Sequence, residues 1–187
     1  MPRQGRAARI FALATLAWTG PQLLPSSSLH PRSYSQPGQA QAGQPETSAS
    51  ALNEAEVEAL IDAHNRERLS ASPSLPPLVR NKKLEAAALA QARDMARHET
   101  LSHESHDGST LSQRVERQQY PYRGIAENIA RGPTETSKVL HIWMKSEPHR
   151  KNLLGDFSDV GVARVDSSKS IPYWAVVFGK PKAQSSP

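Results

Sequence analysis

The sequence predicts an α+β domain, and three observations lead there. Segments with apolar residues at helical spacing fill the middle of the chain. Two runs rich in β-branched and aromatic residues, joined by a polar turn, close it. Helices first and a β-hairpin last is the order of an α+β fold, not of an alternating α/β one. The third observation is the absence of cysteine. The domain must hold together through its own apolar core, and about 130 residues suffice for that.

The elements follow in order. Leu52 to Leu69 reads as a helix: Val57, Leu60, Ile61, His64 and Arg68 share one face, and Glu54, Glu56 and Glu58 sit where the helix dipole favours acids. The Pro- and Ser-rich stretch from Ser70 to Pro77 ends it, and Leu78-Val79 is a short extended piece. Asn81 caps a second helix from Lys82 to about His98, whose many alanines suit close packing. Residues 102–108 form a polar loop. Ser109 opens a third helix carrying Leu111, Arg114, Val115 and Gln118, which Tyr120-Pro121-Tyr122 breaks. Gly124 to Ala130 is short and apolar with Glu127 and Asn128 set inside it. Thr134 to Ser146 is a fourth helix, with Val139, Leu140, Trp143 and Met144 on one side. Pro148 to Leu154 fits one or two further turns, closed by Gly155. Val160 to Asp166 and Ile171 to Phe178 are the paired strands, turning at Ser167 to Ser170.

The chain of 187 residues carries extras ahead of this domain. Arg3, Arg6 and Arg9 precede a short apolar run from Ile10 to Trp18, with turn residues Thr19-Gly20-Pro21 after it. That is the layout of a secretory signal peptide, assigned to residues 1–24. The run falls short of the ~20 apolar residues a bilayer span needs. Residues 25–51, rich in Ser, Pro and Gln, cannot bury enough surface to offset the entropy of ordering, and are expected to be a disordered linker. The folded domain is assigned to 52–181 and a flexible tail to 182–187. The protein is expected to be secreted, extracellular or periplasmic, with no transmembrane span.

The net charge of +5 is concentrated at the front. Residues 1–51 hold four Arg and one Glu, and residues 52–187 hold 19 Lys and Arg against 17 Asp and Glu, a net of only +2. A mixed surface of that kind is not the footprint of a nucleic-acid binder. A monomer is expected.

Three segments carry the candidate chemistry. His103 lies in the polar loop; an imidazole titrates near neutrality and is the commonest metal ligand. Its bland alternative is a solvated loop residue. Glu127 is flanked by Ala126, Ile129 and Ala130, and a carboxylate buried there must be paired, hydrogen-bonded or metal-bound. It equally reads as a structural residue holding backbone amides or an arginine. His149 follows Pro148 at the start of a short helix whose positive end favours the neutral imidazole that a metal requires, although a cap or packing role fits as well. His64 and Asn65 on the first helix, and Trp143 and Trp174, read as structural. Sharper motifs are excluded. His98 and His103 are five apart, whereas the zinc-protease helix needs four. No Gly-x-Ser-x-Gly elbow, phosphate loop, dinucleotide fingerprint or calcium loop is present, and without cysteine there is no thiol nucleophile.

Taken in order, His64-Asn65 with Arg68, Leu101-Ser-His103, Ala126-Glu-Asn-Ile129, the Trp143, Ser146, His149, Asn152 and Leu154 set, Val160-Gly-Val-Ala163 and the final Trp174–Phe178 strand resemble the CAP superfamily of cysteine-rich secretory, antigen 5 and pathogenesis-related proteins, in its bacterial SCP-like form. The resemblance implies an α-β-α sandwich, with a small antiparallel sheet between helical layers, and a cleft holding two histidines and two glutamates. His103, Glu127 and His149 match three of these. The fourth falls in a region offering Ser146 and Glu147, with Glu147 one place off the register. The resemblance also implies binding of a divalent metal, Zn²⁺ among the candidates, through His103 and His149, and of a small-molecule, lipid or protein ligand. The alternatives left open are a metal-assisted hydrolase using Glu127 or Glu147 as general base, and a purely structural His/Glu network in an interaction module.

Overall fold

The computed structural model describes residues 52–183. The elements are α1 (Glu54–Ala71), β1 (Val79–Arg80), α2 (Lys82–His98), α3 (Leu111–Arg117), β2 (Tyr122–Arg131), α4 (Thr136–Lys145), α5 (Glu147–Leu153), β3 (Asp159–Asp166) and β4 (Pro172–Pro181). The signal peptide and linker assigned to residues 1–51, and the last four residues of the assigned tail, lie outside the described residues.

The helix starts have local causes. Asn53 accepts from the Glu56 N–H while Glu56 accepts from the Asn53 N–H, a capping box that opens α1. Asn81 caps α2 as expected, accepting from Lys83 and Leu84. Thr110, not Ser109, caps α3, in a second reciprocal pair with Gln113. The turns at α1's end are held by Asn65, whose amide donates to the Leu78 carbonyl at 3.0 Å and accepts from its N–H at 2.7 Å. Arg68 is buried beside it. Its guanidinium donates to the carbonyls of Pro76, Leu153, Gly155 and Phe157, tying α1 to the loop after α5.

The four strands run in the order β1-β3-β4-β2. β4 pairs antiparallel with both β3 and β2, whereas β1 lies parallel to β3. The expected sheet is thus antiparallel in its three long strands and mixed through the two-residue β1. The segment around Glu127 is a ten-residue strand paired with β4 along its length.

The alternation of β4 separates two cores. Trp174, Val176 and Phe178 face Leu60, Ile61, Val139, Trp143 and Leu153 of α1, α4 and α5. Tyr173, Ala175 and Val177 face Leu84, Ala88, Ala92 and Met95 of α2 and Val115 of α3. This is the α-β-α sandwich, with the sheet as the middle layer. The alanines of α2 let it approach closely: a Cβ on Gly161 of β3 would collide with the α2 backbone at Leu84 and Glu85. No helix among the described residues is long and apolar enough to cross a membrane.

Candidate functional site

The site forms at the free edge of β2, the outer strand of the sheet. Consecutive residues of a strand point to opposite faces, so Glu127 turns toward the α2/α3 layer and Asn128 toward the α4/α5 layer. Each holds one wall.

On the first side, the Glu127 carboxylate is 1% exposed. Oε1 accepts from Arg114 Nη2 at 2.9 Å, an ion pair whose arginine is 2% exposed. Oε2 accepts from His103 Nδ1 at 2.9 Å. An ionised carboxylate only accepts, so Nδ1 of His103 carries the proton and, in the neutral ring, Nε2 keeps the lone pair. The His103 side chain is 59% exposed, leaving that nitrogen open to a ligand. Arg114 also shapes the loop that carries His103: Nη1 donates to the His103 carbonyl, the Ser105 hydroxyl and the Ser109 carbonyl. Ser105 in turn donates to buried Gln91 of α2 at 2.6 Å.

On the other side, Asn128 Nδ2 donates to the His149 carbonyl at 3.0 Å, and its Oδ1 accepts from Asn152. Asn152 also donates to the outward carbonyl of Glu127, and Trp143 Nε1 to that of Ile129. The polar edge of β2 is thereby satisfied by side chains of α4 and α5, which draws α5 and its histidine over the strand. His149 is half-buried, and its Nδ1 is buried without a hydrogen-bond partner. Burial, and secondly repulsion from nearby His103 were both rings to charge, hold its pKa below the ordinary imidazole value, so the neutral form is favoured.

His103, Glu127 and His149 therefore meet around one strand edge. Glu147 is different: it is exposed at the first position of α5, and its carboxylate makes no hydrogen bond among the described residues. Among the described residues, no group of three or more His, Cys, Asp or Glu side chains is placed to hold a metal ion. His103 and His149 are the two imidazole residues carried to this edge, one by the loop held to Glu127 and one by α5. His64, Asn65 and Trp143 all make their contacts within the fold. His64 is fully buried between Trp143 and Phe178, its Nδ1 2.8 Å from the Leu60 carbonyl.

Sequence reasoning missed Arg114, Gln91, Ser105 and the Asn128–Asn152 pair as parts of the site. Arg114 carried a signal: it shares the buried stripe of α3 with Val115, where an arginine needs a partner of opposite charge.

The comparisons with known proteins agree with this architecture. The chain is 31% identical over 122 residues to the uncharacterized protein YkwD of Bacillus subtilis; the match covers 65% of this chain and 47% of the relative, about half its length. Its structure resembles an extracellular protein with an SCP domain from Bacillus anthracis, at 27% identity and TM-score 0.58 over 67% of this chain and 40% of that one. It also resembles an outer surface protein of Borrelia burgdorferi, at 24% identity and TM-score 0.63 over 72% and 99% of the two chains. The model of the cysteine-rich secretory protein family, CAP, matches residues 61–178, a span that includes every residue of the strand-edge site; this cysteine-free chain belongs to the CAP family.

Proposed function

We propose that this protein is an extracellular CAP-domain binding module whose strand-edge site holds a divalent cation through His103 and His149. One observation carries the reading: buried Glu127, fixed by Arg114, accepts a hydrogen bond from His103 Nδ1–H and so leaves Nε2 as the nitrogen free to coordinate, while burial favours the neutral form of His149. A carboxylate behind a metal-ligating imidazole is the usual arrangement for orienting the ring and raising its basicity. Bound there, a cation such as Zn²⁺ would supply a Lewis-acidic centre with open positions for a small-molecule, lipid or protein ligand. The extracellular placement rests on the leader-like residues 1–24 and on relatives described as extracellular and outer surface proteins.

Calorimetric zinc titration of the protein and of a His103→Ala/His149→Ala variant tests the proposal. Saturable 1:1 binding is expected, lost in the variant. Equal binding by both proteins refutes it. The buried Arg114–Glu127 pair also favours a structural reading of the network, and that reading gains if the variant loses stability while neither protein binds zinc.

A further inference from the structure

One stripe of α2 holds the loop that carries His103. Gln91 donates to the Ser102 carbonyl and accepts from the Ser105 hydroxyl. About one turn on, Asp94 Oδ2 accepts from the His106 N–H at 2.9 Å. Another turn on, the His98 ring stacks on the His106 ring, with centroids 3.9 Å apart and planes 17° from parallel. Gln91, Asp94 and His98 recur at the spacing that puts side chains on one helix face. The two stacked histidines belong to neither core and take no part in the strand-edge site.

The stack is sensitive to charge. Its rings attract when both are neutral, or when one is charged and lies over the face of the other. Two charged rings at 3.9 Å repel even through water. His98 Nδ1 lies 3.0 Å from the Asp94 carbonyl, an acceptor only, so Nδ1 already carries a proton and Nε2 takes up the second. Asp94 Oδ1, 3.4 Å from the same Nδ1, can offset one positive charge. No carboxylate is placed to offset two. Asp107 pairs with Arg117 and Glu99 with Lys169, while Glu104 and the neighbouring cation Arg97 are exposed to water. His98 is half-buried and His106 exposed, so protons reach both rings. Gln91 does not titrate, whereas an imidazole ordinarily gains its proton between about pH 5 and 8.

We propose that the His98–His106 stack is a pH-sensitive latch, closed while at most one ring is charged, that opens when both are and loosens the His103 loop from α2. The latch is independent of whether the strand edge binds a cation. Amide hydrogen exchange of the full chain at about pH 8 and about pH 5, corrected for the intrinsic effect of pH on exchange, tests it. The bonded amides of Ser105, His106 and Gly108 report on the loop, and those of β4 serve as the reference. Protection of the loop is expected to fall about tenfold at the lower pH while that of β4 holds. His106→Phe and His98→Phe each keep an aromatic ring in the stack but leave only one that can be charged, so each is expected to abolish the fall. Equal loop protection at both pH values in the unaltered chain overturns the proposal. A pH response that survives in either variant places the switch on another group and overturns it as well. Should one variant leave the loop open at both pH values, the other decides; if both do, the stack is a structural contact alone and the proposal falls.

Discussion

Arg114 and Glu127 make the costliest commitment in the molecule: two opposite charges taken almost wholly out of water, with every oxygen of the carboxylate in use. Removing one partner of such a pair leaves an uncompensated buried charge. Arg114→Ala is expected to lower the unfolding free energy by about 3–5 kcal/mol, read from denaturant titration. A loss below about 1 kcal/mol would show that water already shares the pair. His64 gives a second residue-level test. Burial among Trp143, Phe178 and the α1 backbone pushes its pKa down to about 4. The unfolded chain binds that proton near pH 6.5, and the folded one only near 4. His64's contribution is therefore complete above about pH 6.5 and is lost as the pH falls toward about 4, by about 3 kcal/mol in all. His64→Phe is expected to flatten the stability profile between about pH 4 and 6.5 by roughly 1.4 kcal/mol per unit. Parallel profiles for the two proteins would contradict the burial argument.

At the scale of elements, the sheet edge explains why the site is where it is. An outer strand presents unpaired carbonyls, and here Asn152 and Trp143 cover those of Glu127 and Ile129. The contacts that protect the edge also fix α5, so the geometry of His149 is a by-product of edge protection. On the opposite face, α2 lies against β3 with no room for a side chain at Gly161. Gly161→Ala is expected to force the layers apart and cost about 3 kcal/mol or more, measured as a lowered denaturation midpoint. A neutral substitution would mean that α2 is less tightly seated. The helices were legible in the sequence to within about two residues at most ends, because 3.6-residue periodicity and Asn81 are strong local signals. β2 was legible only as an apolar patch around Glu127. Its Glu127 and Asn128 are polar for reasons that lie on α3, α5 and the His103 loop, and no pattern within the strand reveals partners so distant in sequence.

For the whole molecule, two apolar cores on either side of one sheet stand in for disulfides. The order of elements and the resemblance anticipated the α-β-α layers. The parallel pairing of β1 was not visible in the sequence, because a two-residue strand carries no period of its own. An arginine was among the partners the sequence allowed Glu127, but which arginine was not legible, because Arg114 lies on a different element. What the fold does with this scaffold is to bring His103 and His149, 46 positions apart in the chain, to opposite sides of one strand edge. A crystal grown with zinc and recorded at the zinc absorption edge tests that most directly. A single anomalous peak is expected between the rings of His103 and His149, within about 2.1 Å of one nitrogen of each. A peak elsewhere, or none at a zinc concentration that saturates the protein in solution, would contradict it.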